Sequence, residues 1–408
     1  YGITYGTEIM RLIDVMGDMG IMVNGVVITK FKEQPQAVIY KTKLENRGIK
    51  VYTHTLTKGY PTDVDTIVSD EGYGKNAYIE TTRPLVVVNA PGPNSGKLAT
   101  CLCQLYHEYK RGVKAGYAKF ETFPVWNLPL KHPVNIAYEA ATADIKDVNM
   151  IDYFHLEAYG VTTVNYNRDI EIFPVVNAMF ELIAGKSPYQ SPTDMGVNMA
   201  GYAITDDEVC REASSQEIIR RYYKGLCDHK NGLVDKETVE KLELLMGELG
   251  LKPTDRKVVG PALEKEEKCG EAACALELED GTVVTGKNTK LMTAPASCIL
   301  NAVKTLANVP DRFKLLAPNV LEPITKLKQR TLGDKNFRLN LEEVLIALSI
   351  CAATNDIVRD TVEKLEELKG AELHSSRMLH PTDENILRKL RINVTSEPRF
   401  TSQNLYDN

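Results

Sequence analysis

An apolar run followed by a glycine-lysine turn and a helical pattern is the feature that most constrains this chain. Residues 85–88 lead into Asn89-Ala90-Pro91-Gly92-Pro93-Asn94-Ser95-Gly96-Lys97, and a helical pattern covers 97–110. A short, continuously apolar run is typical of a buried strand in a parallel sheet. A turn at a helix N-terminus presents backbone N–H groups to an anion, and the helix dipole favours negative charge there. The sequence therefore predicts an anion-binding strand-loop-helix with Lys97 as its cation.

The turn matches only part of the phosphate-binding loop of nucleotide hydrolases. That motif reads Gly, four residues, Gly-Lys, and then Ser or Thr. Ser95-Gly96-Lys97 fits it, but Pro91 stands at the first glycine position and Leu98 replaces the magnesium-binding hydroxyl. An ordinary strand-to-helix turn with a solvated lysine is the alternative. The residues predicted to bind phosphate are Gly92, Asn94, Ser95, Gly96 and Lys97.

Length, charge and cysteine spacing limit the classes of protein that this chain can represent. Its 408 residues exceed what one core usually serves, so two or more domains are expected. A net charge of -6 gives no general affinity for nucleic acid or anionic membranes, and no apolar stretch is long enough to span a bilayer. The eight cysteines form no Cys-x-x-Cys pair, which favours reduced thiols in the cytoplasm.

Alternating strand and helix patterns predict an α/β fold with two α/β domains. In the first domain, residues 1–235, strand patterns occur at 25–29, 49–55, 85–89 and 114–123, with helical patterns at 9–19, 36–46 and 97–110. Such alternation builds a mostly parallel sheet, which binds ligands at the carboxyl ends of its strands. The second domain, residues 236–400, is expected to be a smaller mixed α/β unit with a hairpin at Asp280-Gly281.

Residues 124–201 break this regular pattern. The stretch is dense in Pro, Asn, Asp and Tyr and shows weak periodicity. Long irregular segments in compact domains usually serve function or are disordered, and the aromatic content here argues against disorder. We therefore expect functional side chains in it.

Charged residues outside the turn are candidates for holding a metal ion and a phosphate. Asp63 and Asp65 would share one face of an extended segment and could hold magnesium. Arg83 and Lys119 would neutralise phosphate charge. Exposed loop aspartates are the alternative for the first pair, and an edge strand is the alternative for Lys119.

His155 and Glu157 are the candidates for proton transfer, beside Lys97 as the third predicted catalytic residue. A hydrogen-bonded structural histidine is the alternative for His155. A zinc site is not expected. The stretch His107-Glu108-Tyr109-Lys110-Arg111 begins like the zinc-protease helix His-Glu-x-x-His, but Arg111 stands at the second histidine position.

Longer motifs resemble the bacterial domain-of-unknown-function family eighteen forty-six. They include Ile79-Glu80-Thr81-Thr82-Arg83-Pro84, Ser95-Gly96-Lys97-Leu98, Gly116-Tyr117-Ala118-Lys119, Phe154-His155-Leu156-Glu157 and Ser191-Pro192-Thr193-Asp194-Met195-Gly196. The resemblance runs from Tyr5 to about Phe400 and implies a two-domain α/β protein; from it we expect this chain to lack an N-terminal stretch. Members are sometimes labelled ATP-dependent zinc proteases, a label that the absent second histidine disfavours. The family offers no catalytic residues to carry over.

Three hypotheses about function follow from these patterns. The first is an enzyme, a phosphotransferase or ATP-dependent ligase, that uses ATP or another nucleotide with magnesium, or a phosphorylated metabolite. The missing hydroxyl at position 98 counts against ordinary triphosphate hydrolysis. The second is a non-catalytic homo-oligomer that binds a nucleotide or metabolite through the same turn. A structural homo-oligomer whose turn binds nothing is a third. Nucleic acid and membrane partners are not expected.

Overall fold

The computed structural model of this chain describes residues 5–92, 95–120 and 124–402. The chain is mixed α/β and divides into two units. Unit 1 comprises residues 1–128 and 149–203, and unit 2 comprises residues 129–148 and 204–408. The segment between the two parts of unit 1 thus folds with the second half of the chain.

Sixteen α-helices and eight strands lie in the described residues. The helices are α1 (Tyr5–Asp18), α2 (Pro35–Glu45), α3 (Val64–Ile67), α4 (Lys97–Lys110), α5 (Pro133–Ala141), α6 (Tyr153–Tyr159), α7 (Asn167–Ala184), α8 (Pro192–Met195), α9 (Asp207–Lys230), α10 (Lys236–Glu248), α11 (Val259–Cys269), α12 (Ala294–Leu306), α13 (Pro318–Lys326), α14 (Leu341–Ala352), α15 (Asp356–Glu363) and α16 (Pro381–Lys389). The strands are β1 (Val26–Ile28), β2 (Val51–Thr53), β3 (Asn149–Ile151), β4 (Val164–Tyr166), β5 (Ala273–Glu277), β6 (Val283–Lys287), β7 (Glu372–Ser375) and β8 (Asn393–Ser396).

Unit 1 contains two small sheets. β1 and β2 are parallel, pair from Val26↔Val51 to Ile28↔Thr53, and are joined through α2. β3 and β4 form a separate antiparallel pair. The predicted strands at 25–29 and 49–55 and the predicted helix at 97–110 are confirmed. The mostly parallel sheet is reduced, in the described residues, to one parallel pair.

The predicted central strand at 85–89 is wrong. Residues 85–88 have no regular structure, and Leu85 and Val87 are 81% and 76% exposed. A strand needs a neighbour for its backbone N–H and C=O groups, and these residues pair with no strand of the described chain. Residues 114–120 are likewise irregular rather than a strand, and residues 121–123 of that predicted strand lie outside the described residues.

The core of unit 1 lies where α4 and α7 pack. Tyr73, Leu102, Tyr106, Phe173 and Phe180 are among its buried side chains. The sequence pattern does not predict α7, which is eighteen residues long, because a proline lies inside it and proline usually breaks a helix. The stretch 124–201 is therefore more helical than its composition indicates.

Unit 2 is built on a four-stranded mixed sheet in the order β6-β5-β7-β8. β5 pairs with β6 and β7 in antiparallel fashion, and β7 pairs with β8 in parallel. The β5–β6 connection contains Asp280 and Gly281, so the predicted hairpin is confirmed. Helices α12 and α14 supply much of the buried core beside this sheet. Residues 314–317 are irregular, although Leu315 and Leu316 are buried.

A buried arginine joins β7 to β8 in unit 2. Arg256 donates to the carbonyls of Leu373 and Asn393 at 3.1 and 2.9 Å, and it pairs with Glu372. Its Nε also donates to the hydroxyl of Thr395 at 2.9 Å. Because guanidinium groups only donate, this hydroxyl accepts from Arg256 and keeps its own hydrogen for another partner.

Buried thiols occur in both units. Cys103 lies in the core of unit 1, and Cys274 and Cys298 lie in the core of unit 2. Burial raises the pKa of Cys103 and of Cys274 to about 12, because a thiolate would lose its hydration there. Within the described residues, no helix combines the length and apolar content that crossing a membrane requires.

Candidate functional site

The lysine turn, defined here as Gly92 with residues 95–97, lies at the carboxyl end of β1. Thr29, which follows β1, donates its hydroxyl to the carbonyl of Ser95 at 2.9 Å. Gly96 has a φ of 87°, in the left-handed region that favours glycine. A Cβ on Gly96 would lie 3.1 Å from Cγ2 of Thr29, so glycine also permits the close approach. The turn is therefore supported by β1 and not by a strand at residues 85–88.

Hydrogen bonds close the lysine turn on itself. Ser95 Oγ donates to the carbonyl of Gly92 at 2.9 Å, and Lys97 Nζ lies 3.4 Å from the same oxygen. Gly96 is the residue that precedes α4, and no side chain caps that helix in the described part of the chain. The first N–H groups of a helix have no partner within the helix. Asn94, the remaining predicted phosphate ligand, lies outside the described residues.

The two aspartates predicted to hold magnesium lie at the start of α3. Asp63 Oδ1 accepts the backbone N–H of Thr66 at 3.2 Å, which makes Asp63 the N-terminal cap of this helix. Hydrogen bonds from Thr66 lower the pKa of Asp63. Asp65 is exposed in the first turn. Among the described side chains, no three His, Cys, Asp or Glu residues are grouped so that they could hold a metal ion.

Three further predicted site residues take no part in the hydrogen bonds of the lysine turn: the cations Arg83 and Lys119, and Glu157, the second candidate for proton transfer. The side chains of Arg83 and Glu157 are exposed and form no hydrogen bond or ion pair with another described residue. Lys119 Nζ lies 2.6 Å from Oδ2 of Asp169. The charge of Lys119 is therefore already paired within the protein.

The His155 site is defined here as His155, Ser191, Asp194, Tyr159 and Trp126. Nδ1 of His155 lies 2.9 Å from Ser191 Oγ. Ser191 Oγ also accepts the backbone N–H of Asp194 at 3.2 Å.

A carboxylate stands beside the same imidazole nitrogen. Asp194 Oδ1 is 3.6 Å from His155 Nδ1, and Oδ2 accepts from Tyr159 at 2.9 Å and from the backbone of Gln190 at 2.7 Å. Nδ1 of His155 therefore has both a hydroxyl and a carboxylate beside it.

Aromatic rings surround His155. Its ring centroid is 4.6 Å from that of Tyr159 and 6.3 Å from that of Trp126, and Trp126 also contacts Tyr202 at 6.2 Å. Trp126 Nε1 is buried and has no hydrogen-bond acceptor among the described residues. Among the described residues, the indole N–H is therefore an unsatisfied donor at this site.

Asp152 fixes the backbone on which His155 stands. Its carboxylate accepts the N–H of His155 at 3.1 Å, and it also accepts the N–H and hydroxyl of Thr193 at 3.1 and 2.5 Å. The fully buried anion therefore ties α6 to α8.

Sequence reasoning identifies His155 but not Ser191, Tyr159 and Trp126 as its neighbours. The pattern Ser191-Pro192-Thr193-Asp194 predicts a helix start, and the capping box between Ser191 and Asp194 is present. Tyr159 lies four residues after His155 on α6, a spacing that places both on one face of the helix, whereas Trp126 and Ser191 come from separate segments and have no such local signal.

Comparisons with known proteins cover both units. Residues 1–250 match the family model described as domain of unknown function DUF1846, N-terminal, and residues 254–406 match the corresponding C-terminal domain. A UPF0371 protein of Clostridium botulinum (strain Langeland) is 59% identical over 417 residues, which covers 100% of this chain and 83% of that protein. UPF0371 proteins of Clostridioides difficile and Clostridium tetani are 58% and 57% identical, with the same coverage.

Proposed function

This chain belongs to the DUF1846 family of bacterial proteins, and we propose that its lysine turn binds the phosphate group of a nucleotide or phosphorylated metabolite. The observation that carries the proposal is the start of α4, where a left-handed Gly96 precedes a helix that no described side chain caps, and a lysine is the first helical residue. Backbone N–H groups, the helix dipole and an ammonium group then attract an oxyanion together.

The position of Lys97 supports this function. Its ammonium lies 3.4 Å from the carbonyl of Gly92, which is longer than the 2.7–3.2 Å of a good N–H···O hydrogen bond. A phosphate oxygen is charged and forms a shorter contact with an ammonium group. A bound phosphate can therefore replace the carbonyl of Gly92 as the partner of Lys97. The turn also lies at the carboxyl end of a parallel strand, where α/β proteins bind ligands.

Calorimetric titration with ATP and magnesium tests the proposal. We expect the wild-type chain to bind and Lys97→Ala to bind at least about tenfold more weakly, a loss of about 1.4 kcal/mol. Lys186→Ala is the matched control, because Lys186 is an exposed lysine of unit 1 without an ion-pair partner among the described residues. Absence of binding to any nucleotide or sugar phosphate, or equal affinity of Lys97→Ala and the wild type, would overturn the proposal.

An assay for turnover of the bound nucleotide, made on the same protein, distinguishes a catalytic function from binding alone. If the chain is a phosphotransferase or ligase, release or transfer of the γ-phosphate should depend on His155 and fall in His155→Gln while binding persists. Binding without turnover favours the non-catalytic role. Titration without magnesium, and with Asp63→Asn and Asp65→Asn, tests whether these carboxylates contribute to metal-dependent binding.

A further inference from the structure

Unit 1 contains a second cluster of cations at the opposite end of α4 from the lysine turn. An open cleft of about 420 Å³ lies there. We call it the arginine cleft; its lining residues are Lys50, Val51, Tyr52, Tyr78, Glu80 and Arg111. Lys50 immediately precedes β2, and Arg111 immediately follows α4. The cleft therefore lies at the amino end of β2, whereas the lysine turn lies at the carboxyl end of β1.

Arg111 is held in place by stacking and not by a carboxylate. Its guanidinium carbon lies 3.5 Å from the ring centroid of Tyr78. The hydroxyl of Tyr78 donates to Glu108 at 3.1 Å, which fixes the ring that Arg111 covers. Among the described residues, no carboxylate forms an ion pair with Arg111. Its N–H donors, which match a carboxylate or phosphate in a fixed fork, thus have no acidic partner in the described part of the protein.

The segment carrying Tyr78 is itself fixed against α4. Gln104 accepts the backbone N–H of Ile79 at 3.1 Å and donates to the carbonyl of Ile79 at 3.0 Å. Gln104 also donates to Glu108 at 2.8 Å. One side of the cleft is therefore built in advance, which lowers the entropy that a ligand must lose on binding.

The other side of the cleft adds a second cation and an aromatic ring. Lys50 Nζ lies 3.1 Å from Glu80, and both side chains are more than three-fifths exposed. Such an exposed pair is weak and can be exchanged for a ligand anion. Two cations and one carboxylate give the lining an excess of positive charge. Tyr52 contributes the ring, and its hydroxyl accepts the N–H of Glu80 at 3.3 Å.

The geometry points to a second oxyanion site, in which Arg111 and Lys50 bind the phosphate or carboxylate of a small molecule whose flat ring lies against Tyr52. The volume is within the range of small-molecule sites, roughly 300–1,000 Å³. The site is separate from the lysine turn: α4 has 14 residues and is therefore about 21 Å long. One phosphate group cannot contact both ends of this helix.

Protection of Arg111 from phenylglyoxal, mapped by mass spectrometry on the full chain, tests this inference. Phenyl phosphate and benzoate are the probes, and the one that protects more at equal concentration identifies the anion that the cleft prefers. At ten times the dissociation constant of the probe, modification of Arg111 should slow by about tenfold. Arg47, an exposed arginine of unit 1, should react at an unchanged rate. Unchanged modification of Arg111 with both probes, or equal protection of Arg47, would overturn the inference.

Variants separate this site from the lysine turn. Lys97→Ala should retain the protection of Arg111, because the turn lies at the other end of α4. In calorimetry on the Lys97→Ala background, Arg111→Gln should weaken phenyl phosphate binding by about tenfold and Arg47→Gln should not. Inorganic phosphate should protect Arg111 less well than phenyl phosphate at equal concentration; equal protection would exclude the contribution of the ring.

Discussion

The ammonium of Lys119 lies 2.6 Å from Oδ2 of Asp169, and the two side chains are only 16% and 12% exposed. The pair links residues 114–120, which have no regular structure, to the first turn of α7. The sequence predicts Lys119 as a phosphate-neutralising cation. Its ion pair holds an irregular segment against the core of unit 1, and its role toward phosphate stays a prediction.

Removing one partner of this pair should destabilise unit 1. In Lys119→Met the carboxylate of Asp169 would remain largely buried without its cation, and breaking such pairs costs about 3 kcal/mol. Urea unfolding followed by tryptophan fluorescence measures the loss, because the single tryptophan, Trp126, lies in unit 1. The double variant Lys119→Met/Asp169→Leu should recover part of it. A cost below about 1 kcal/mol would class the pair with ordinary surface ion pairs.

Gly196→Ala should disturb the same segment, residues 114–120, where the backbone of Lys119 contacts Gly196. A Cβ on Gly196 would lie 1.9 Å from the backbone carbonyl oxygen of Lys119, and the N–H of Lys119 donates to Met195 at 2.7 Å. Backbone must move to relieve this clash, so we expect a loss of about 2 kcal/mol or more in the free energy of unfolding. Gly116→Ala is the control: no described atom lies within 4 Å of the position that its methyl group would take, and its stability should change by less than about 0.5 kcal/mol. Equal effects would contradict the packing.

Gly96→Ala should cost more stability than Gly185→Ala. Both glycines have left-handed φ angles, 87° and 81°, and a side chain in that region costs about 1 kcal/mol. Of the two, Gly96 has a close neighbour, Thr29, at 3.1 Å, whereas no described atom lies within 4 Å of the Cβ position at Gly185. The difference between the two variants in urea unfolding therefore isolates the contact between the lysine turn and β1. A larger loss for Gly185→Ala would contradict it.

His374 should make the stability of unit 2 depend on pH. Its Nδ1 lies 2.8 Å from the hydroxyl of Thr395, which also accepts from Arg256. Nε2 lies 3.4 Å from Glu397. Burial lowers the pKa of His374 because it disfavours the imidazolium, and Arg256 and Arg399 lower it further, whereas Glu397 opposes the change.

The direction of the pH effect follows from proton binding. Below the ordinary histidine pKa of about 6.5 the unfolded chain takes up a proton that the folded chain does not, so the free energy of unfolding falls as the pH drops below that value. Above it the stability is fully present. His374→Gln should lose less stability than the wild type between about pH 7.5 and about pH 5.5 in urea titrations. His229→Gln, at an exposed position, should retain the wild-type slope. If the free energy of unfolding of His374→Gln and of the wild type changed equally with pH, His374 would not be the group responsible.

Sequence patterns predict the helices and strands that carry their own signals. α4 begins and ends at the predicted residues because Gly96 precedes it and its apolar residues recur at helical spacing. The β5–β6 hairpin follows from its turn residues. The strand prediction at residues 85–88 fails for a long-range reason. A run of apolar side chains forms a buried strand only if a neighbouring strand pairs with its backbone, and the whole fold determines which strands are neighbours.

The candidate sites likewise differ in how much of each can be predicted from neighbouring residues in the sequence. The lysine turn is contiguous, so its residues can be named from the sequence, but its support by Thr29 joins segments 66 residues apart. The His155 site and the arginine cleft are assembled from separate segments. Arg111 in particular enters the sequence argument only as a missing zinc ligand, since neither its stacking on Tyr78 nor its place beside Lys50 has a local signature.

The buried cysteines supply a way to observe each unit opening without any substitution. Cys103 reports on unit 1, and Cys274 and Cys298 report on unit 2. Their raised pKa values and their burial together make alkylation slow until the surrounding core opens. Pulsed alkylation with peptide mapping can therefore determine, in one sample of the unaltered protein, whether a ligand that protects the first core also delays exposure of the second.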